Sequence, residues 1–500
     1  MHSATSFLES SLILVILAAS VQTAQTSATF SATTAISVNT SNVLVKQWQG
    51  FGTSLSWWAV AVGASQLESE LADALYSTNE HVGMLINGTT IHVPGLGLNV
   101  VRYNIGGTGE DGDYPGTVET FKDSSSRSGL DWWKLVPGFW TDGSSSDPMN
   151  WDWTRDQNQR SMLNAIHKRG AQYIELYSNA PMWWMTEENS SLGGTILSNR
   201  LSEFVTYIST VVSHARLYWS IPVTSVSILN EPSGAPTSTY GTATNEALYF
   251  PFALEQAKLY SSLRSNLSNQ FSTSTVVVSG ADDRSIALAS LNLNTVLPQV
   301  DQYNVHGYLS TDANRTSLRT SVGSKTLWMS QYDDTDDSGL KLATAILKDL
   351  AKLRPSAWVY HQALSLTSEQ TGVILSSTFG AGPFDPARGQ LVRVTTKFYI
   401  LAQFTRYLRP GDEIISTSSS SSIAAINSST GRVKVIVVGY LASQTVSIDV
   451  SQQAVSDGTK LLGRYTKTDG SVLFEEFEVV ARGGKAVFTM ERKGVYSLEF

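Results

Sequence analysis

Between Trp48 and about Leu364 the chain alternates short apolar runs with longer stretches of helical periodicity. The runs occupy residues 49–52, 98–104, 173–179, 223–230, 276–280, 302–306, 327–331 and 358–362. Continuous apolar runs of this length suit strands buried on both faces, and strands separated by helices pair in parallel through crossovers. The intervening stretches behave as helices. Residues 156–168 repeat apolar positions at helical spacing and end at Arg169-Gly170, a basic last turn followed by a glycine stop. Residues 201–217 and 250–267 follow the same pattern. Eight strand–helix units over roughly 300 residues predict a (β/α)8 barrel.

After Arg409-Pro410-Gly411 the period changes to two. Residues 433–438, 445–450 and 495–500 alternate as strands do, with Gly431, Asp469-Gly470 and Gly483-Gly484 as turns. The predicted class is therefore α/β: a TIM barrel over residues 46–405 with an attached C-terminal β-sandwich over 406–500. Residues 29–45 also read as strand and precede the barrel without a helix, so they are expected to add to the sandwich. The serines at 418–422 form a polar loop and not a linker of any length. The long connection 106–152 is rich in Gly, Ser, Asp and Trp. It follows the second strand, so it is expected over the C-terminal face, where barrel active sites form.

Composition narrows the setting. With 42% hydrophobic and 16% charged residues the chain is an ordinary globular one. A net charge of -8 argues against nucleic acid or anionic membrane as a partner. There is no cysteine, so no disulfide or thiolate chemistry is available and stability must come from the core. Residues 12–19 form a short apolar segment followed by small residues, too short to span a bilayer. Residues 1–24 are read as a secretory signal, although Glu9 stands where basic residues are usual. Sequons at Asn39, Asn87, Asn189, Asn266, Asn314 and Asn427 fit a secreted glycoprotein. Many of the 13 Trp fall near expected turns, where both core packing and platforms for a sugar face account for them.

Candidate chemistry sits at the strand ends. Glu231 closes the fourth run and Pro232 then turns the chain. A carboxylic acid at the C-terminal end of a barrel strand is catalytic more often than structural, a surface-turn glutamate being the alternative. Two carboxylates are the usual apparatus for cleaving a glycosidic bond. Yet the seventh run, Leu327-Trp328-Met329-Ser330-Gln331-Tyr332-Asp333, presents an amide at Gln331. Asp333 shares a face with residue 331 by strand alternation, and the acidic run 333–337 suits either a cation or a solvated loop. Arg102 can clamp a carboxylate or form a salt bridge inside the barrel mouth. Asn179, Asn230, His306 and Tyr308 offer polar groups to a substrate. Trp57, Trp183 and Trp358 offer stacking faces. No second ligand lies at metal spacing from His306, so no metal or other cofactor is expected.

Several of these segments together resemble glycoside hydrolase family 30. They are Gln49-Gly50-Phe51-Gly52, Arg102-Tyr103-Asn104-Ile105-Gly106-Gly107, Ser178-Asn179-Ala180-Pro181-Met182-Trp183-Trp184-Met185, Asn230-Glu231-Pro232 and residues 401–411. The fungal endo-β-1,6-galactanase branch is the nearest in character, and the resemblance covers essentially the whole mature chain. It implies a barrel with an attached sandwich, a retaining mechanism and Glu231 as general acid/base. It also implies a nucleophilic glutamate at the end of the seventh strand, where this chain carries Gln331. An amide cannot serve as an anionic nucleophile. Three readings follow: Asp333 replaces the nucleophile; a neighbouring aspartate drives direct attack of water, or Gln331 orients an N-acetyl group of the substrate; or the protein is a lectin-like pseudoenzyme. The expected partner in each case is a polysaccharide or oligosaccharide bound by a monomer outside the cell.

Overall fold

The computed structural model of the chain describes residues 32–109, 131–141, 150–234, 245–271, 276–382, 385, 387–453 and 455–500. The signal segment expected over 1–24 lies outside them, as do parts of the connection 106–152. The eight apolar runs are the eight strands of a closed parallel barrel. In chain order these are Gly50–Ser54, Val100–Asn104, Tyr173–Tyr177, Ser225–Ser227, Val277–Asp283, Gln302–His306, Thr326–Tyr332 and Ala357–Gln362. They are hydrogen bonded in that order, and the ring closes where Ala357 pairs with Gly50. The first and second strands approach closely because residue 52 lacks a side chain. A Cβ on Gly52 would lie 2.2 Å from the Val100 carbonyl oxygen.

Helices Gln157–His167, Leu201–Leu217, Ala253–Gln270, Ile286–Val296, Asp312–Val322 and Leu340–Lys348 fill crossovers between these strands. Two of them start on side-chain caps: Ser285 accepts from the Leu288 amide and Thr311 from the Asn314 amide. Most indoles are packing material. Trp140, Trp151 and Trp153 stack in series at centroid distances of 5.0 and 5.1 Å, and Trp153 lies 3.5 Å from the His214 ring.

The C-terminal strands and Ala32–Val45 form the sandwich. Ala32–Val45 serves two sheet regions. Its first half runs parallel to Gln444–Asp449, from Ala32 opposite Gln444 to Ser37 opposite Asp449. Its second half runs antiparallel to Glu413–Thr417, and register shifts mark the bend. The strand Val433–Gly439 is buried along its whole length because both of its faces are covered. Val435 and Val437 point into the sandwich, whereas Ile436 and Val438 pack on the barrel's hydrophobic cluster. Sandwich and barrel thus share a continuous apolar seam.

Candidate active site

The barrel interior is unusually polar for a core, and the site is built on it. Arg102, completely buried, donates from Nε to Glu175 Oε1 at 2.7 Å and from Nη2 to Asp282 Oδ1 at 2.9 Å. Its guanidinium also lies 4.1 Å from the centroid of the Tyr177 ring. Asn304 bridges the two acids, donating to Glu175 Oε1 at 3.0 Å and to Asp282 Oδ2 at 3.1 Å. Ser330 donates to Asp282 Oδ1 at 2.6 Å. A buried charge persists only when its partners are fixed in this way.

Above this layer two strand ends lock together. Glu231 and Asp282 both take positive φ, 48° each, a region that non-glycine residues seldom occupy. The Glu231 amide donates to the Asp282 carbonyl at 2.9 Å, and the Gly234 amide donates back to the Glu231 carbonyl at 2.9 Å. Backbone strain at such positions persists where the surroundings over-determine it, as these bonds do here. The result aims the Glu231 side chain, 24% exposed, into a cleft of about 310 Å³.

Of the residues singled out in the sequence, Trp57, Asn179, Asn230, Glu231, Tyr308, Gln331 and Asp333 line this cleft. Tyr308 stacks on Tyr332 at 6.2 Å and accepts a 3.4 Å contact from the Gln331 amide nitrogen. The Gln331 Oε1 and Asn230 Oδ1 atoms find no hydrogen-bond partner among the described residues, so each is a ready acceptor for a hydroxyl. Four others lie elsewhere. His306 is fully buried behind Glu231, and Arg102 lies in the layer below. Trp183 is half-buried in a short turn of helix and does not line the cleft. Trp358 is completely buried, its indole donating to Asp349 Oδ2 at 2.8 Å, so its face is not available for stacking on a sugar. The acidic run 333–337 is engaged in part as a cap: Asp336 accepts from Ser338 and from the Lys341 amide, and Asp337 pairs with Arg393 at 2.5 Å.

Three ionisable lining residues escaped the sequence reading: Glu246, Arg284 and His361. Glu246 accepts from Asn104 Nδ2 at 2.8 Å, the Gly107 amide at 2.8 Å and Thr108 Oγ1 at 3.0 Å, tying the loop after the second strand to the cleft. It lies in a long loop with no periodic signal. Arg284 follows the fifth run within the charged triplet Asp282-Asp283-Arg284, which was a legible strand-end signal. His361 sat inside the eighth run itself.

The acids fall into two groups. Burial pushes Glu231 upward, but the hydrogen bond and charge of His306 outweigh it, with Arg284 adding to them, so the carboxyl is held below its usual range. Asp282 is held well below its range by Arg102 and His306 against its own burial. Burial pushes Asp333 up to about 6, against a hydrogen bond from Tyr308, and Glu231 opposes its ionisation. Burial likewise pushes Glu246 up to about 7. One cleft therefore holds an ionised carboxylate on the fourth strand's end and a readily protonated carboxyl just past the seventh. Opposite protonation tendencies of two nearby acids are what acid–base catalysis on a glycosidic bond requires.

Comparison with known proteins places this arrangement. The family model described as O-Glycosyl hydrolase family 30 matches residues 33–327, ending just before Gln331. An endo-beta-1,6-galactanase of Hypocrea rufa is 31% identical over 443 residues, covering 86% of this chain and 87% of that protein. Among solved structures, a conserved exported protein from Bacteroides fragilis superposes with a TM-score of 0.71 at 15% identity, covering 93% of this chain and 100% of that one. The catalytic domain of GH30 xylanase C from Talaromyces cellulolyticus superposes at 0.66 and 17% identity, covering 93% and 99%. Those structural likenesses share the fold; the sequence matches go further, and the chain belongs to O-glycosyl hydrolase family 30.

Proposed function

We propose that the protein is a secreted, glycosylated and monomeric hydrolase that cleaves within β-linked glycans, β-1,6-galactan being the substrate its sequence relative suggests. The observation that carries this reading is the pair of carboxyl groups, Glu231 and Asp333, facing one cleft with opposite protonation tendencies. Trp57 and Tyr308 supply aromatic surface for a sugar face, and Asn179, Asn230 and Gln331 supply amides for its hydroxyls. Glu231 serves as the general acid/base, and Asp333 provides the second carboxyl that Gln331 does not. The segment 1–24 and the exposed sequons at Asn39 and Asn87 support export and glycosylation.

Incubation with β-1,6-galacto-oligosaccharides tests the reading. Products are expected from the wild type, with a loss of about a hundredfold or more in Glu231→Gln, the scale of a lost acid–base group. A second reading, a lectin-like binder, draws on one observation: the neutral Gln331 where the family resemblance implies an anionic nucleophile. Tight binding with no products from either version would establish that reading and end the first.

A further inference from the structure

A chain of buried hydrogen bonds runs from Glu246 into the cleft. Glu246 and Asn104 are buried, and Asn179 is 6% exposed. Asn104 Nδ2 donates to Glu246 Oε2 at 2.8 Å, and Asn104 Oδ1 accepts from the Asn179 backbone amide at 3.1 Å. The Asn104 backbone is fixed from behind, its amide donating to Gln159 Oε1 and its carbonyl accepting from Gln159 Nε2, each at 3.0 Å. Only the orientation of its side-chain amide is left to set. A carboxylate can only accept and a backbone N–H can only donate, so one orientation alone satisfies both neighbours.

At the far end of this chain Asn179 lines the cleft, and its Nδ2 makes no hydrogen bond among the described residues. The nearby Tyr177 hydroxyl is already engaged by Ser54 Oγ at 2.9 Å and Ser56 Oγ at 2.5 Å. A buried donor without a partner costs free energy until a ligand completes it. We propose that Glu246 is a positioning residue: it fixes the Asn104 amide, which holds Asn179 so that Asn179 Nδ2 donates to a hydroxyl oxygen of the bound glycan. This rests on the hydrolase reading above and adds to it the group that sets one of its sugar contacts.

Glu246 has a second set of partners on its other oxygen. Oε1 accepts from the Gly107 amide at 2.8 Å and from Thr108 Oγ1 at 3.0 Å, and the Gly107 carbonyl accepts from the Trp183 amide at 2.8 Å. Support of that loop is a purely structural role, and the two oxygens separate it from positioning. In Glu246→Gln the remaining oxygen can still serve Gly107 and Thr108, but the new NH2 group then faces Asn104 Nδ2. Two donors cannot bond, and turning the Asn104 amide to answer one moves the conflict to the Asn179 N–H. A simultaneous Asn104→Asp change removes it. The new carboxylate accepts from the new amide and from the Asn179 N–H together, and one negative charge remains in the cluster.

The test measures Kd for a β-1,6-galacto-oligosaccharide by calorimetry, in a Glu231→Gln background so that nothing is turned over. Asn179→Ala is expected to raise Kd about five- to tenfold, the scale of one lost hydrogen bond, and Glu246→Gln to raise it by a similar factor. Adding Asn104→Asp to Glu246→Gln should recover most of that loss. Glu246→Gln should add little on top of Asn179→Ala, since both remove the same contact. A Glu246→Gln protein that binds like its parent would overturn the proposal, as would a loss fully additive with that of Asn179→Ala. Should Glu246→Gln alone fail to fold, the double variant with Asn104→Asp decides: parental affinity upholds the proposal and a lasting loss overturns it. Crystal structures of the same variants give a readout that needs no glycan. Asn104 and Asn179 keeping their wild-type places in Glu246→Gln overturns the proposal whether or not the cleft binds sugar. Displacement of both, reversed by Asn104→Asp, in a protein that binds and cleaves no glycan upholds the positioning and defeats the hydrolase reading alone.

Discussion

Gln331 and Asp333 are separated by one residue and line the same cleft, but only Asp333 can give up or take a proton there. Placing a carboxylate at 331 adds a negative charge beside Glu231 and Asp333, and like charges disfavour ionisation. In Gln331→Glu the Glu231 carboxyl is therefore expected to titrate higher than in the wild type, as NMR of its side chain would read. A gain of activity in that variant with retained product configuration, read by NMR of fresh hydrolysate, would show that the new group attacks the anomeric carbon. Asp333→Asn is expected to cost about a hundredfold or more in kcat, with KM changed little, as loss of the second carboxyl does. Tyr308→Phe removes the hydroxyl bonded to Asp333, so the Asp333 carboxyl should titrate higher, as NMR of its side chain would read. The sign follows because that hydroxyl favours the ionised form.

At the scale of the element, the second, third, fifth, sixth and seventh barrel strands are joined by one buried charge cluster. Removing Arg102 leaves Glu175 and Asp282 buried without their cation. Arg102→Met is expected to destabilise the fold by about 3–5 kcal/mol, measured by urea denaturation at neutral pH. The deficit should shrink in acid. Asp282 has a depressed folded pKa, so its contribution is present above the unfolded value near 3.9 and is lost as pH falls through the lower folded one. His306 has a raised pKa and contributes with the opposite sign. Its share is complete below the unfolded value near 6.5 and disappears as pH rises through the folded one. An unfolding free energy of the variant that stayed equally far below wild type at pH 3 would count against this cluster as the source of the loss.

For the whole molecule, the apolar seam between barrel and sandwich decides cooperativity. Ile436 and Val438 face the barrel cluster, and the Trp48 indole donates to the Leu408 carbonyl at 3.1 Å where the chain leaves the barrel. The Gln403 amide, on the helix Thr396–Thr405, bonds with the hydroxyls of Thr466 and Ser497 in the sandwich. Every tryptophan lies before residue 406, so indole fluorescence reports the barrel while far-ultraviolet circular dichroism reports both parts. The two signals are expected to melt together in the wild type and separate in Ile436→Asp, which buries a charge in the seam. Coincident melting of that variant would show that the seam does not couple the parts.

The sequence by itself determined the element types, because periodicity is a local property. Runs of eight buried strands between amphipathic helices, and then period-two strands, admit few architectures. It also placed Glu231, Gln331 and Asp333 at strand ends, and hence at one face of the barrel. Only the tertiary structure decided which neighbours those groups meet. Closure of the ring brings His306 and Asp282 to Glu231 from different strands, and the register shifts at Ala281 and Met329 set how strand-end side chains divide between core and cleft. Trp358, reasonable as a sugar platform from its position, is covered by its own neighbours. Glu246 reaches the cleft from a loop without any pattern. The charge on a carboxyl depends on distances across the barrel, and those distances exist only once the ring has closed.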